Sequence, residues 1–295
     1  MAKVYDALRR AEEERKRRAS AGEAPLAPLA AAAGEPAPAP RAPAFTVDAV
    51  PEPRARGSFW RRLWPARGRS EAADAALEGN KRRITLLQPE SFVAEQFRTL
   101  RGRIDAMAAK QPLRTIVVTS PNPGDGKTTA AINLATVTAL SLGRRVLLVD
   151  CDLRKPKIHL ALGLRPEAGL AEVLNGSKSL DEAILKVENL NLDVLAVRGR
   201  PPNPSELLCS ANMVELVEEL AKRYDRVILD TPAALGMPDA KAVAELADGI
   251  VLVVRADVTS RRDVETSIEL IDRRRLLGLL LNGAKMAQGR YGYVS

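Results

Sequence analysis

The sequence predicts an α/β fold with a doubly wound, mainly parallel sheet. Apolar runs of strand length recur along the chain, at residues 115–119, 145–150, 192–197, 226–230, 249–254 and 276–282. The runs are almost uninterrupted, as expected of parallel strands that helices cover on both faces. Segments with helical spacing separate them, which is the alternation typical of this fold class. In such sheets, functional groups gather at the carboxyl ends of the strands.

The composition fits a reducing compartment and does not favour nucleic-acid binding. The chain has 295 residues, and its two cysteines, Cys151 and Cys209, suggest neither a disulfide framework nor a metal site. The formal net charge of +8 is spread along the chain, since residues 1–80 hold 14 Lys and Arg against 11 Asp and Glu. No apolar segment indicates a signal peptide or a membrane span. We therefore expect a cytoplasmic protein without a nucleic-acid partner.

The N-terminal part of the chain predicts two segments that precede the folded domain. Residues 1–20 have the spacing of a short amphipathic helix, which is either a frayed tail or a helix that docks on a partner. Residues 21–80 are rich in Ala and Pro and predict a disordered linker. Within it, residues 58–64 join both tryptophans to basic residues, which fits a peripheral membrane contact or a motif for a protein partner. A folded domain over 81–288 and a tail over 289–295 complete the predicted organisation.

The loop after the first apolar run has the pattern of a phosphate-binding loop. Residues 120–129 are Ser-Pro-Asn-Pro-Gly-Asp-Gly-Lys-Thr-Thr, with Pro121 where the usual pattern has its first glycine. Glycines let backbone N–H groups turn towards phosphate oxygens, the lysine can reach the β- and γ-phosphates, and the following threonine can bind Mg²⁺. The sequence therefore predicts a P-loop NTPase. Its nucleotide-binding residues would be Pro123, Gly124, Asp125, Gly126, Lys127, Thr128 and Thr129.

Carboxylates at the ends of two other apolar runs complete the predicted site. Asp230 ends one run, where a carboxylate can hold the Mg²⁺ shell directly or through water. Asp150 and Asp152 end another, and alternation along an extended chain would turn both towards one metal–phosphate site. We expect Thr128, Asp152 and Asp230 to organise the metal. For Asp152, an ordinary loop ion pair with Arg154 is the alternative.

A helix is predicted over residues 90–108 from the spacing of its apolar positions. Glu95, Arg98 and Arg101 recur at three-residue steps, which places them near one another on one face of that helix. Such a trio is usually a solvated face with weak ion pairs. From spacing alone we interpret these three residues in that way.

Three motifs, TSPNPGDGKTT, VLLVDCDLRKP and VILDTPA, occur in the predicted domain. Together they resemble the bacterial tyrosine kinases of capsule and exopolysaccharide synthesis, which are similar in fold to the partition and division-site ATPases. The resemblance extends from about residue 81 to the C-terminus and includes the stretch PPNPSELL at 201–208. It also includes a Gly-x3-Asn pattern ending at Asn282, where relatives contact the adenine. Partition ATPases carry a second lysine at the position of Asn122.

The resemblance implies an ATP- and Mg²⁺-dependent protein-tyrosine autokinase that regulates polysaccharide synthesis or export. Lys127 and the loop amides would neutralise phosphate charge, and Asp150 would orient or deprotonate the incoming phenol. Asp152 and Asp230 would complete the catalytic set through the metal. Tyr291 and Tyr293 in the tail would be the phosphate acceptors, reached by the site of a neighbouring subunit.

The resemblance also implies partners. The family closes a homo-oligomeric ring with a Glu-x2-Arg-x2-Arg pattern, which Glu95, Arg98 and Arg101 match. Its activator is the cytoplasmic end of a membrane protein that controls polysaccharide chain length, which would place this chain at the inner face of the cytoplasmic membrane. A function of another class stays open, a non-kinase ATPase switch that positions cargo on a membrane or chromosome.

Overall fold

The computed structural model describes residues 83–141 and 143–284. The predicted N-terminal helix, the linker with its aromatic segment, and the acceptor tyrosines Tyr291 and Tyr293 lie outside the described residues. No helix in the described ranges is both long enough and apolar enough to cross a membrane.

A mainly parallel sheet organises the described chain, as predicted. Its strands are β1 (Thr115–Thr119), β2 (Val146–Asp150), β3 (Ile184–Lys186), β4 (Leu192–Leu195), β5 (Arg226–Asp230), β6 (Gly249–Arg255) and β7 (Leu276–Asn282). They follow the order β3-β4-β2-β5-β1-β6-β7. Every neighbouring pair is parallel except β3 and β4, which are antiparallel.

Helices cover both faces of this sheet. They are α1 (Ile84–Leu87), α2 (Phe92–Ala108), α3 (Lys127–Ala139), α4 (Ile158–Leu162), α5 (Leu170–Leu174), α6 (Leu180–Ala183), α7 (Pro204–Leu208), α8 (Ala211–Arg223), α9 (Pro238–Leu246) and α10 (Arg261–Leu270), with a 3₁₀ turn at Arg273–Arg275. Two apolar clusters result, one on each face, and both contain fully buried strand residues. Helix α3 is buried along most of its length because it packs between the sheet and α2.

Element boundaries differ from the predicted ones in a few places. Helix α2 begins at Phe92 rather than at residue 90, because the Ser91 hydroxyl accepts the backbone N–H of Ala94 and caps the helix. The run at 192–197 stops being a strand after Leu195, where the Ala196 carbonyl turns away to accept the N–H of Leu170. Strand β3 was not predicted, since three residues are too few to show a pattern.

The strand order brings the predicted site together. Strand β5 lies between β2 and β1, so the ends of these three strands are adjacent. Asp150 is the register partner of Asp230 across β2 and β5, and Asp230 is also paired in register with Val118 of β1. The phosphate loop follows β1 directly. Three segments that are far apart in sequence therefore meet at one edge of the sheet.

Candidate active site

The phosphate loop has the backbone conformation that its glycines allow. Gly124 and Gly126 have φ values of 92° and 101°, in the region that side chains with a Cβ avoid. Helix α3 begins at Lys127, directly after Gly126. The positive end of the helix dipole and the loop N–H groups therefore face the same point, which suits phosphate binding.

Side chains from the β6–α10 connection and from the first turn of α10 support the phosphate loop. Asp125 is 2% exposed, and its carboxylate accepts the N–H of Asn122 at 2.9 Å and the hydroxyl of Thr259 at 2.8 Å. The Asn122 side chain donates to Asp263 Oδ2 at 2.9 Å. Asn122, Thr259 and Asp263 thereby restrain a loop that contains two flexible glycines. The sequence motif identifies neither Thr259 nor Asp263, since both lie more than 130 residues away.

Asn282, at the end of β7, also holds the phosphate loop. Its Nδ2 donates to the backbone carbonyl of Asp125 at 2.8 Å. The contact is so close that a Cβ added to Gly126 would lie 2.0 Å from this nitrogen. The φ of Gly126 therefore favours glycine, and a Cβ at this position would also force the Asn282 side chain to move.

Lys127 and Asp152 form an ion pair at the centre of the site. Lys127 Nζ lies 3.0 Å from Asp152 Oδ2, and the two side chains are 12% and 10% exposed. Burial by itself would lower the pKa of Lys127, but the nearby carboxylates of Asp230 and Asp152 outweigh it and raise the pKa. The raised pKa keeps Lys127 protonated, and a positive charge is what it needs to neutralise phosphate.

Asp150 is fully buried and binds the backbone of its own loop. Its Oδ1 accepts the N–H of Asp152 at 3.1 Å, and its Oδ2 accepts the N–H groups of Lys157 and Ile158 at 3.0 and 3.1 Å. Burial and the neighbouring charge of Asp230 raise the pKa of Asp150, and the hydrogen bonds only partly offset them. Both oxygens of Asp150 thus fix the path of the loop that carries Asp152.

Asp230 has a buried carboxylate close to Lys127 and to the Thr128 hydroxyl. It is 1% exposed, and within the described ranges neither oxygen has a hydrogen-bond partner of normal geometry. Burial raises its pKa, while the charge of Lys127 and the nearby Thr128 hydroxyl act in the opposite direction. A buried carboxylate without a partner is costly unless a cation or proton compensates it. This observation fits a site that accepts a metal ion.

Magnesium fits these residues better than a metal held by protein alone. Among the residues of 83–141 and 143–284, no group of three or more His, Cys, Asp or Glu could hold a metal. Mg²⁺ usually takes one or two carboxylates and completes its shell with phosphate oxygens and water. The hydroxyl of Thr128 and the carboxylates of Asp152 and Asp230 would be the protein's contribution.

The structure separates the three residues predicted to share a helical face. Arg98 donates to Glu95 Oε2 at 2.9 Å and to the Pro89 carbonyl at 2.8 Å, at the exposed surface of α2. Arg101 turns inward instead and donates to the carbonyl of Val137 at 2.7 Å, near the end of α3. Glu95 and Arg98 therefore form one exposed pair, and Arg101 joins α2 to the helix that follows the phosphate loop.

Sequence comparison shows that this chain is similar to bacterial tyrosine kinases. Residues 113–276 match the family described as the AAA domain. The tyrosine-protein kinase YwqD of Bacillus subtilis is 39% identical over 213 residues, which cover 71% of this chain and 90% of that protein. The succinoglycan biosynthesis transport protein ExoP of Rhizobium meliloti is 35% identical over 215 residues, which cover 71% of this chain but 27% of that protein.

Solved structures agree with this placement. The kinase domain of the Escherichia coli tyrosine kinase ETK superposes with a TM-score of 0.66 at 32% identity, covering 72% of this chain and 84% of that one. The septum site-determining protein MinD of Pyrococcus horikoshii, solved with Mg-ADP, gives 0.50 at 26% identity, covering 57% and 69%. The fold is that of a nucleotide-binding P-loop ATPase.

Proposed function

Because the chain belongs to the bacterial tyrosine kinase family, we propose that it is an autokinase that moves the γ-phosphoryl group of ATP onto C-terminal tyrosines of neighbouring copies of the same chain. One observation supports this most strongly. The buried carboxylate of Asp230, to which the described residues donate no hydrogen bond of normal geometry, lies beside the Lys127–Asp152 pair at the phosphate loop. These are the groups that phosphoryl transfer needs, since it depends mainly on positioning and on neutralising charge.

Each residue of the site has a proposed task. The loop N–H groups and Lys127 bind the β- and γ-phosphates and stabilise the charge that develops on the transferred group. Thr128, Asp152 and Asp230 would hold Mg²⁺, which supplies further charge neutralisation between the phosphates when it is bound. The attacking phenol oxygen forms the new P–O bond as the bond to the ADP oxygen breaks in line.

Two roles are open for Asp150, orientation and deprotonation of the phenol. Its three backbone hydrogen bonds and complete burial favour an indirect role over deprotonation, because both oxygens already accept backbone N–H groups of its own loop. We therefore propose that Asp150 acts on the tyrosine indirectly, by fixing the loop that carries Asp152. The phenolic proton would then pass to solvent as the phosphoryl group is transferred.

The proposed acceptors are Tyr291 and Tyr293 of a neighbouring subunit. Tyr293 lies eleven residues beyond Asn282, and an extended chain of that length spans at most about 40 Å. This reach is compatible with transfer between subunits of a ring, in which Glu95 and Arg98 would lie at the contact. Phosphorylation would add about −1.5 to −2 charges at each tyrosine, and repulsion between the tails would then weaken the ring.

We further propose a role in capsule or exopolysaccharide production. The relative from Rhizobium meliloti is a succinoglycan biosynthesis transport protein, so this domain type occurs in a protein of that process. The activator would be the cytoplasmic end of a membrane protein that controls polysaccharide chain length, with this chain peripheral at the inner face of the membrane. Nucleic acid would not be a partner.

A second candidate is an ATPase switch that positions cargo without phosphorylating tyrosine. The likeness to MinD of Pyrococcus horikoshii supports it. Asn122 opposes it, because the position of the second lysine is taken by an amide that is bound to Asp263.

Intact mass and phosphotyrosine mapping after incubation with Mg-ATP test the proposal. We expect phosphate on Tyr291 or Tyr293 in the wild type and none in a Lys127→Met variant. ATP hydrolysis without tyrosine modification, even with a candidate activator domain present, would favour the switch.

Phosphorylated protein should also sediment as smaller assemblies than a Tyr291→Phe/Tyr293→Phe variant. Identical sedimentation would contradict the proposed control of the ring.

A further inference from the structure

A cluster of three polar side chains lies beside the site, outside the phosphate-binding groups. The side chain of Asp239 is fully buried. Its Oδ2 accepts a hydrogen bond from Arg154 Nε at 2.7 Å, and its Oδ1 accepts one from the Ser205 hydroxyl at 2.5 Å. Arg154 Nη2 also donates to Ser205 Oγ at 2.8 Å. Each member therefore bonds to the other two. We call Arg154, Ser205 and Asp239 the loop clamp.

The loop clamp joins three connections that leave the carboxyl edge of the sheet. Arg154 belongs to the loop after β2, which carries Asp152. Ser205 lies in α7, within the PPNPSELL stretch that follows β4. Asp239 lies in the first turn of α9, beyond the segment after β5. That segment runs along the start of the phosphate loop, since the N–H of Ala234 donates to the Ser120 carbonyl at 2.8 Å.

The order of the strands places the clamp on the β2 side of the phosphate loop, because its residues follow β2, β4 and β5. The phosphate loop follows β1, and Lys127 extends from it past β5 to Asp152 in the loop after β2. A γ-phosphate bound to Lys127 would therefore lie towards the loop after β2, where Asp152 is located. In-line transfer requires the acceptor oxygen to approach from the far side of that phosphate, opposite the leaving oxygen. The loops that the clamp joins border this approach.

The clamp side chains make their hydrogen bonds with one another, and within the described residues none of these bonds involves the phosphate loop. The side chain of Arg154 is 38% exposed, so the clamp reaches the surface at the rim of the site. Asp239, by contrast, is completely enclosed and fixes the direction of the arginine fork.

We propose that the loop clamp is a positioning device for the acceptor tyrosine. It holds the Asp152 loop, α7 and the start of α9 in one arrangement, so that the phenol oxygen meets the γ-phosphate in line. This inference rests on the proposed kinase function and adds the residues that would govern the acceptor side. A displacement of about 1 Å in such a geometry lowers the rate roughly 100-fold.

Two conservative variants of the full chain test the proposal. Arg154→Lys keeps the charge but loses the two-pronged contact, and Ser205→Ala removes the hydroxyl that links α7. We expect each to lower kcat for tyrosine phosphorylation at least about tenfold, with the affinity for Mg-ADP within about twofold of wild type by calorimetry. Their effects should be non-additive in the double variant, because both act through one network. Arg223→Lys, an exposed arginine paired with Asp181 and Glu219, is the matched control and should behave as wild type.

Several results would overturn the inference. Tyrosine phosphorylation within twofold of wild type in both variants would show that the clamp does not position the acceptor. A parallel loss of Mg-ADP affinity and melting temperature would assign the cluster a purely structural role. Wild-type protein that binds Mg-ADP but forms no phosphotyrosine would instead refute the proposed function, and the acceptor role of the clamp with it.

Discussion

Lys127 Nζ and Asp152 Oδ2 lie 3.0 Å apart, and this ion pair connects the phosphate loop to the loop after β2. Both side chains are about nine-tenths buried, so the pair is little screened by solvent. A nucleotide phosphate that binds Lys127 and a metal that binds Asp152 would each compete for this contact. The same two residues therefore link phosphate binding and metal binding.

Asp152→Asn should weaken metal-dependent transfer more than it weakens folding. The amide keeps the shape of the side chain but loses the negative charge that pairs with Lys127 and would attract Mg²⁺. We expect kcat for tyrosine phosphorylation to fall about 100-fold and the Mg²⁺ concentration for half-maximal rate to rise, measured by phosphotyrosine formation across a Mg²⁺ titration. Asp181→Asn, which removes an exposed ion pair with Arg223, is the control. An unchanged Mg²⁺ requirement in Asp152→Asn would argue against metal binding by this residue.

Gly126→Ala should abolish nucleotide binding, whereas Gly102→Ala should not. At Gly126 a Cβ would lie 2.0 Å from Asn282 Nδ2, and the φ of 101° is unfavourable for alanine. Gly102 is in α2, with no atom within 4 Å of the added Cβ, so alanine there should stabilise the helix by about 0.5–1 kcal/mol. Calorimetric titration with Mg-ADP and thermal melts would measure both effects. Normal ADP affinity in Gly126→Ala would show that the loop conformation is not required.

Much of the fold and the centre of the site could be predicted, because the relevant signals are local. Six apolar runs identified six of the seven strands in the described part of the chain, and the glycine-lysine-threonine sequence identified the phosphate loop. A strand buried on both faces must be apolar throughout, and a phosphate loop needs particular residues at fixed spacing. Both constraints leave a pattern in a single sequence.

The contacts that support the site could not be predicted in the same way. Thr259 and Asp263 reach the phosphate loop from more than 130 residues away, and Ser205 and Asp239 meet Arg154 only because β2, β4 and β5 are near neighbours. Such contacts depend on the order of the strands in the sheet, which the pattern of apolar runs does not show. The hydrogen bond from Arg101 to the Val137 carbonyl could not be predicted for a related reason. Helical spacing shows which residues share a face of a helix, but not which neighbouring element a side chain binds.

The stability of the metal-free protein should fall as pH rises through the weakly acidic and neutral range. Burial raises the pKa of both Asp150 and Asp230 above the ordinary value of about 4. Above that value the folded state holds protons that the unfolded state has released, so raising the pH favours unfolding. Asp230→Asn removes one of these ionisations and should flatten the slope.

Thermal melts at pH 5.5 and pH 8 in the presence of a chelator would measure this effect. We expect the melting temperature of the wild type to drop by several degrees between the two pH values, and that of Asp230→Asn to drop less. The control is Asp257→Asn, at an exposed loop position whose φ of 59° asparagine tolerates. Equal slopes in wild type and Asp230→Asn would show that Asp230 ionises normally in the folded protein.

Arg98→Ala and Arg101→Ala should have different consequences, although both residues belong to the same Glu-x2-Arg-x2-Arg pattern. Arg98 is paired with Glu95 at the surface, so its loss should cost less than about 1 kcal/mol of folding stability while weakening the proposed ring. Arg101 binds the Val137 carbonyl at the end of α3, so its loss should destabilise each subunit by about 1–2 kcal/mol. Sedimentation velocity would report assembly, and chemical unfolding of dilute protein would report subunit stability. Arg103 is exposed on the same helix, so Arg103→Ala is the control. If Arg98→Ala and Arg103→Ala assembled equally well, the proposed ring contact at Glu95 and Arg98 would be wrong.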